Sequence, residues 1–177
     1  MHSELVVLGG GPGGYAAAFL AADEGMQVTI VESEKRLGGT CLLRGCIPSK
    51  ALLHVARVIS EVDELREDWG ITYAQPSIDV DKVRARKEKV IATLSGGLAQ
   101  LAKRRNVTTI QAKGVFENST TLRLEGDHES IPAEKLLTFD HCILATGSVP
   151  AMPPSFNIGS DRVMDSTGAL ALADIPE

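Results

Sequence analysis

The stretch from Glu4 to Glu32 constrains the fold more tightly than any other part of the chain. Glu4-Leu5-Val6-Val7-Leu8 is a short apolar run, as expected of a strand buried in a parallel sheet. It leads directly into Gly9-Gly10-Gly11-Pro12-Gly13-Gly14, in which Gly9, Gly11 and Gly14 fit G-x-G-x-x-G. Tyr15–Ala22 follows as a run of good helix formers, and Gln27–Val31 as a second, β-branched strand that ends at Glu32. Each piece has a physical task. Gly9 permits a tight turn, Gly11 lets a pyrophosphate reach the backbone, and Gly14 lets the helix lie close to the sheet. The helix start offers unpaired N–H groups and the positive end of a dipole to phosphates. Glu32, 18 positions beyond Gly14, stands near the point where an acid meets a ribose hydroxyl, and an acid there disfavours a 2′-phosphate. The glycine motif by itself fits any flexible loop. Strand, helix, second strand and acid in this order predict a dinucleotide site, without separating FAD from NAD.

A second feature follows at once. Cys41 and Cys46 lie five positions apart in Gly38-Gly39-Thr40-Cys41-Leu42-Leu43-Arg44-Gly45-Cys46-Ile47-Pro48-Ser49-Lys50. The C-x4-C spacing does not suit a zinc knuckle, and no second Cys or His pair completes four ligands, so no metal site is expected. On a regular helix, residues i and i+5 have Cα atoms about 8–9 Å apart, beyond the roughly 7 Å reach of a disulfide. A bridge here would require a distorted helix, and strained bridges are the readily reduced ones. Taken alone, the pair fits either a redox couple or two inert packing thiols.

The 177 residues suffice for a domain with a real core. A net charge of −5, with no basic run longer than Lys103-Arg104-Arg105, argues against a nucleic-acid partner. Those three cations suit a solvated helix end. No cationic leader with a long apolar stretch opens the sequence, and no apolar run approaches the roughly 20 residues of a membrane span. The sequence reading is therefore a cytoplasmic protein with no membrane contact. Three cysteines in a reducing compartment are not a structural disulfide framework.

The fingerprint and the cysteine run together resemble the N-terminal part of a pyridine nucleotide–disulfide oxidoreductase, and within that family the branch acting on dihydrolipoyl groups. Gly39-Thr40-Cys41-Leu42 with Gly45-Cys46-Ile47-Pro48-Ser49-Lys50 resembles the redox signature of that branch. Ala145-Thr146-Gly147-Ser148, followed by Pro150, resembles a second flavin-contacting turn. The resemblance covers essentially the whole chain. It implies FAD at Gly9, Gly11, Pro12, Gly14, Glu32, Ser33, Gly39 and Thr40, with Gly114 beside the adenine and Ala145, Thr146, Gly147 and Ser148 lining the flavin. Cys41 and Cys46 would form the redox disulfide, both also touching the cofactor. Cys46 would be the thiol nearest the flavin, Cys41 would exchange with substrate, and Lys50 would sit by the isoalloxazine ring. The implied activity is oxidation of dihydrolipoamide by NAD through Cys41–Cys46 and FAD. The implied partners are a lipoyl group of a 2-oxo acid dehydrogenase complex or glycine cleavage system, and a second subunit in a homodimer. Ile47 and Ser49 favour lipoamide over glutathione, trypanothione or mercuric ion, the substrates of related reductases. A non-catalytic nucleotide-binding module is the reading from another class. Leu43-Arg44 departs from the family, which commonly carries Asn at the first position; a polar contact near the pair is then lost, and Arg44 either tunes the thiol electrostatically or is simply exposed, with exposure the favoured expectation.

Residues thus support the expected roles independently, since helix N-termini and nearby cations favour thiolates. Pro48 suits a first helical turn, placing Cys46 at the start of a helix running from about Ile47 to Glu64. A polar loop is expected over Glu67–Asp79, then a long helix from Asp81 to Arg105 with a core stripe of Val83, Val90, Leu94, Leu98 and Leu101. Gly96-Gly97 would kink that helix or allow close packing. Val107–Ala112 reads as a third parallel strand, and Val115–Phe116, Thr120–Leu124 and Leu136–Phe139 as an antiparallel excursion. Asp140–Ala145 returns to the parallel sheet, Pro150–Pro154 is a loop, and Ser166–Leu172 a short helix. Cys142, His54 and His141 are read as structural. The fold expected is α/β: a Rossmann-like FAD-binding domain, a parallel sheet flanked by helices, with a small antiparallel β excursion. Residues 1–177 are expected to be the N-terminal segment of that domain. Neither a second dinucleotide fingerprint for NAD nor the C-terminal dimerisation domain with its His-Glu pair is in the sequence. The chain is therefore expected to be a fragment or truncated product, inactive alone and binding FAD weakly or not at all.

Overall fold

The computed structural model describes residues 1–175; Pro176 and Glu177, the last two of the segment 1–177 assigned above, lie outside the described residues. By contacts the chain divides into two units. The first joins Met1–Leu43 to Thr93–Val149, and the second joins Arg44–Ala92 to the residues from Pro150 onward.

The first unit is built on one six-stranded sheet of order β3-β2-β1-β6-β5-β4. Its strands are β1 (His2–Leu8), β2 (Val28–Glu32), β3 (Thr108–Gln111), β4 (Lys113–Asn118), β5 (Thr121–Glu125) and β6 (Leu136–Leu144). β1 pairs in parallel with β2 on one side and β6 on the other, and β2 pairs in parallel with β3. β5 is antiparallel to both β4 and β6. Alternation along β1 divides the core: Leu5 and Val7 join one apolar cluster and Val6 the other. The first cluster also holds Ala18 of α1 (Pro12–Asp23) and Ala102, near the end of α4 (Val80–Arg104). The second joins Val31 and Ile110 to Leu122, Leu124, Leu137 and Phe139, so the antiparallel strands share a core with the parallel ones. The expected fold class is observed, with one revision. Leu136–Phe139 and Asp140–Leu144 are a single strand, because the residues that pair with β5 and those that pair with β1 run on without a turn.

Cys41 lies in α2 (Gly39–Arg44) and Cys46 opens α3 (Cys46–Trp69). Gly45 interrupts the two helices with φ −134° and ψ −102°, which is the distortion the i, i+5 spacing requires. α3 runs past the expected end at Glu64 and takes up the first residues of the expected Glu67–Asp79 loop. Gly70 stops it in the left-handed region at φ +68°, its N–H bonded to the Leu65 carbonyl.

α4 matches the expected helix but not the expected stripe. Lys87, Ile91, Ser95 and Ala102 are its buried residues, whereas Leu94 and Leu101 are exposed and Val83, Val90 and Leu98 are half-buried. Gly96-Gly97 neither breaks the helix nor meets a close neighbour; a Cβ at either would find open space to 4 Å. The short α5 (Ser166–Ala171) begins at Asp165, whose carboxylate accepts from the Gly168 N–H at 2.8 Å.

Candidate functional site: a glycine cradle and a disulfide

The parallel strands β1, β2 and β6 deliver three of the marked sequences to one end of the sheet. Gly9 leaves β1 at φ +111°, where its missing side chain is a necessity: a Cβ would lie 2.2 Å from the Ala145 carbonyl oxygen at the end of β6. The Ala145 N–H in turn bonds the Leu8 carbonyl at 2.8 Å. A Cβ on Gly14 would lie 1.9 Å from the Gly9 carbonyl oxygen, so α1 starts tight against the turn that precedes it. Gly11 differs from both. A Cβ there would meet only the Gly39 Cα, at 3.7 Å, an ordinary contact. Steric contact with the rest of the chain at the Cβ position therefore does not by itself demand glycine at position 11.

Gly11 caps α1 without a side-chain hydrogen bond, and no acidic residue stands in the first turn. The first N–H groups of α1 therefore face outward with the positive end of its dipole behind them. Such an arrangement takes an anion such as a phosphate. Pro12 and Gly39 border it, since a Cβ on Gly39 would approach the Gly11 Cα to 2.5 Å and Pro12 Cδ to 3.5 Å. Gly39 has φ +59° and opens α2, the helix that carries Cys41.

Glu32 ends β2 with its carboxylate held by backbone. Oε2 accepts from the Gly10 N–H at 2.6 Å, and Oε1 accepts from the Glu34 N–H at 2.8 Å and the Ser33 hydroxyl at 3.2 Å. The acid thus ties the glycine loop to the end of β2. Oε2, with a single partner, keeps further acceptor capacity for a hydroxyl. Gly114, in β4, turns its side-chain position inward; a Cβ would meet Leu8 at 2.7 Å and Val31 at 3.5 Å. Its lack of a side chain is explained by packing over the ends of β1 and β2. Thr146, Gly147 and Ser148 follow β6 and are exposed, as are Ser33 and Thr40.

Cys41 and Cys46 are disulfide-bonded. Cys41 is half-buried and Cys46 exposed. α3 also starts without a side-chain cap or an acidic residue in its first turn. Cys46 is its first residue, and Lys50, exposed, follows one turn later in the second unit. Arg44 is exposed, as expected. Cys142 is a half-buried free thiol packed against the second core cluster, and burial raises its pKa, which keeps it neutral and unreactive. His54 and His141 are exposed, so the structural roles expected of them are not seen among the described residues.

Two residues of this arrangement escaped the sequence reading. Gly10 stood as a filler of the motif, yet its N–H holds Glu32 and its side-chain position is blocked by Leu37, 2.6 Å from where a Cβ would be. Ser95 lies buried on α4 and donates to the Leu37 carbonyl at 2.9 Å. No side-chain pattern announces either bond, because the partner in each is backbone.

Among known proteins, residues 3–177 match the model of the family described as pyridine nucleotide-disulphide oxidoreductase. A dihydrolipoyl dehydrogenase of Vibrio cholerae is 47% identical over 176 residues, 99% of this chain and 36% of that protein. The Vibrio parahaemolyticus and Bacillus subtilis proteins of the same name are 45% and 40% identical, each over the whole chain and 36% of their own length. The chain thus spans about a third of the length of these curated relatives. Among solved structures, the HOCl-induced flavoprotein disulfide reductase RclA from Escherichia coli aligns with a TM-score of 0.76 at 26% identity, over 98% of this chain and 35% of that one. Fold, glycine cradle, disulfide and relatives agree: the chain belongs to the pyridine nucleotide–disulphide oxidoreductase family.

Proposed function

We propose that this chain is the cofactor- and disulfide-bearing part of a dihydrolipoyl dehydrogenase, corresponding to the N-terminal segment of its FAD-binding domain. The Cys41–Cys46 bond carries the reading: it starts two positions after Gly39, which packs against Gly11 of the glycine loop. The α1 N–H groups, bordered by Gly11, Pro12 and Gly39, would hold the pyrophosphate, and Glu32 a ribose hydroxyl. Ser33, Thr40, Gly114, Ala145, Thr146, Gly147, Ser148 and Lys50 complete the proposed cofactor contacts. FAD, when bound, supplies the electron-transfer chemistry between dithiol and NAD.

The protein's own chemistry is thiol–disulfide exchange. One thiolate of a dihydrolipoyl group attacks the Cys41 sulfur; the Cys41–Cys46 bond breaks and Cys46 leaves as a thiolate. The second substrate thiol, once deprotonated, attacks the substrate sulfur of the mixed disulfide. The cyclic disulfide leaves, Cys41 takes back the electron pair, and two thiols remain on the protein. The uncapped start of α3 favours the thiolate at Cys46. A lipoyl-bearing partner, a homodimer and a cytoplasmic setting belong to the same proposal. No helix among the described residues is long and apolar enough to cross a membrane.

Two measurements on the 177-residue chain test the reading. Dihydrolipoamide is expected to release two thiols at Cys41 and Cys46, and FAD titration is expected to show flavin binding weakened at least about tenfold by Gly11→Val. A Cβ at position 11 would meet the Gly39 Cα at 3.7 Å, so thermal unfolding of Gly11→Val alongside wild type separates lost flavin binding from a lost fold. Equal reduction by glutathione would favour a related reductase. Flavin binding indifferent to Gly11→Val would sink the cradle assignment.

A further inference from the structure

We infer that Ser95 is a positioning residue for the redox disulfide, acting through the loop that leads into Cys41. The inference rests on the redox reading of Cys41–Cys46. Serine is a mediocre helix residue whose hydroxyl commonly bonds back to its own helix. In α4, Ser95 is 3% exposed, and its hydroxyl instead donates to the carbonyl of Leu37, 58 residues earlier in sequence, at 2.9 Å. This oxygen precedes Gly38-Gly39-Thr40-Cys41, so only three residues separate the anchor from the exchanging sulfur.

Those three residues have little other side-chain support. Gly38 and Gly39 hold φ values of +138° and +59° and offer no side chain to pack. Two backbone contacts align them on the cradle: the Gly38 N–H donates to the Gly10 carbonyl at 2.9 Å, and Gly39 abuts Gly11. The Leu37 side chain fills the space beside Gly10. Ser95 pins the entry to this segment from the side of α4. One hydroxyl therefore braces both the glycine cradle and the start of α2, without touching cofactor or substrate. Loss of the anchor leaves Cys41 freer to move, which lowers its effective concentration toward Cys46 and favours the open dithiol.

The test is the equilibrium between Cys41–Cys46 and dithiothreitol, read by thiol counting in the full chain, which needs no flavin. Ser95→Ala is expected to shift it about threefold to tenfold toward the dithiol, the range of one lost buried hydrogen bond. Ser95→Thr, which keeps the hydroxyl, is expected to stay near wild type. Val107→Ala, a core truncation in the same unit, is expected to lower stability and leave the equilibrium unchanged. If Ser95→Ala does not fold, Ser95→Val against Ser95→Thr repeats the comparison with shapes that differ only in the hydroxyl. An unshifted equilibrium in the variants lacking the hydroxyl, or an equal shift in Val107→Ala, would overturn the inference. Failure of the redox reading itself would appear elsewhere, as a wild-type disulfide that dihydrolipoamide does not open.

Discussion

Glu32 concentrates the logic of the site in one carboxylate. Its two oxygens take N–H groups from two different stretches of backbone, Gly10 on one and Glu34 on the other. A glutamine of the same shape has a single acceptor oxygen, and its NH2 would face a backbone N–H. Glu32→Gln is therefore expected to cost the chain about 1–3 kcal/mol in the absence of any nucleotide, measured by urea denaturation. A carboxylate needed only for a ribose would give no such loss. The acid itself was legible in the sequence, because its distance from Gly14 is set by the length of one helix and one strand. Gly9 and Gly14 were legible for the same reason: a steric demand selects a residue type and leaves a mark. The Gly10 and Leu37 bonds left none, since any residue supplies a backbone N–H or carbonyl. Cys41 and Cys46 lie between these cases. Their spacing stated the need for a break between helices, and Gly45 supplies it, but the choice between redox couple and packing thiols came only with the neighbouring motifs.

At the scale of elements, α4 exposes the limit of reading apolar spacing. The largest apolar side chains drew the expected stripe through Leu94 and Leu101, yet the buried face contains a lysine and a serine. Both bury because a backbone carbonyl receives them. Lys87 Nζ donates to the Leu170 carbonyl at 2.7 Å, with Glu88 3.5 Å away, and Arg84 donates to the carbonyls of Leu172 and Ala173 at 2.7 Å each. These oxygens lie at the end of α5, where a helix leaves its carbonyls unpaired. The cations thus serve as the C-terminal cap of a helix only six residues long, while Asp165 caps its start. Lys87→Met is expected to loosen α5 by about 1.5–3 kcal/mol, the range for a hydrogen bond to a charged group. Asp165→Ala should cost about 1 kcal/mol, as for other N-caps. Limited proteolysis after Met164 or Leu172 would check the order, with Lys87→Met cut faster than Asp165→Ala and both faster than wild type. Equal rates in all three would mean that α5 is held by other contacts. The β elements were more legible than α4, because their period of two and their turn residues are local. Only the fusion of Leu136–Phe139 with the following strand was missed, since no turn residue marks where the pairing changes from antiparallel to parallel.

For the molecule as a whole, the division into two units has an energetic counterpart. Both apolar clusters, with Val6, Val7, Ile30, Ile110, Leu122 and Leu137 each at most 1% exposed, belong to the first unit. In the second, the 24-residue α3 buries Pro48 and leaves Leu53, Val55 and Val58 exposed, and Ile91 of α4 is a fully buried large apolar side chain. Burial of apolar surface is the main term that holds an element against opening. Helical hydrogen bonds on a solvated helix contribute little beyond it. Native-state hydrogen exchange should therefore separate the units. Amides of β1 and β2, such as Val7 and Ile30, are expected to exchange only through global unfolding and to follow its full denaturant dependence. Amides in the middle of α3, from about Leu53 to Leu65, are expected to exchange through a smaller opening with a weaker denaturant dependence and at least about tenfold faster. Should the α3 amides merge with those of β1 at zero denaturant, the second unit would share the stability of the sheet, and the concentration of burial in the first unit would not govern how this chain opens.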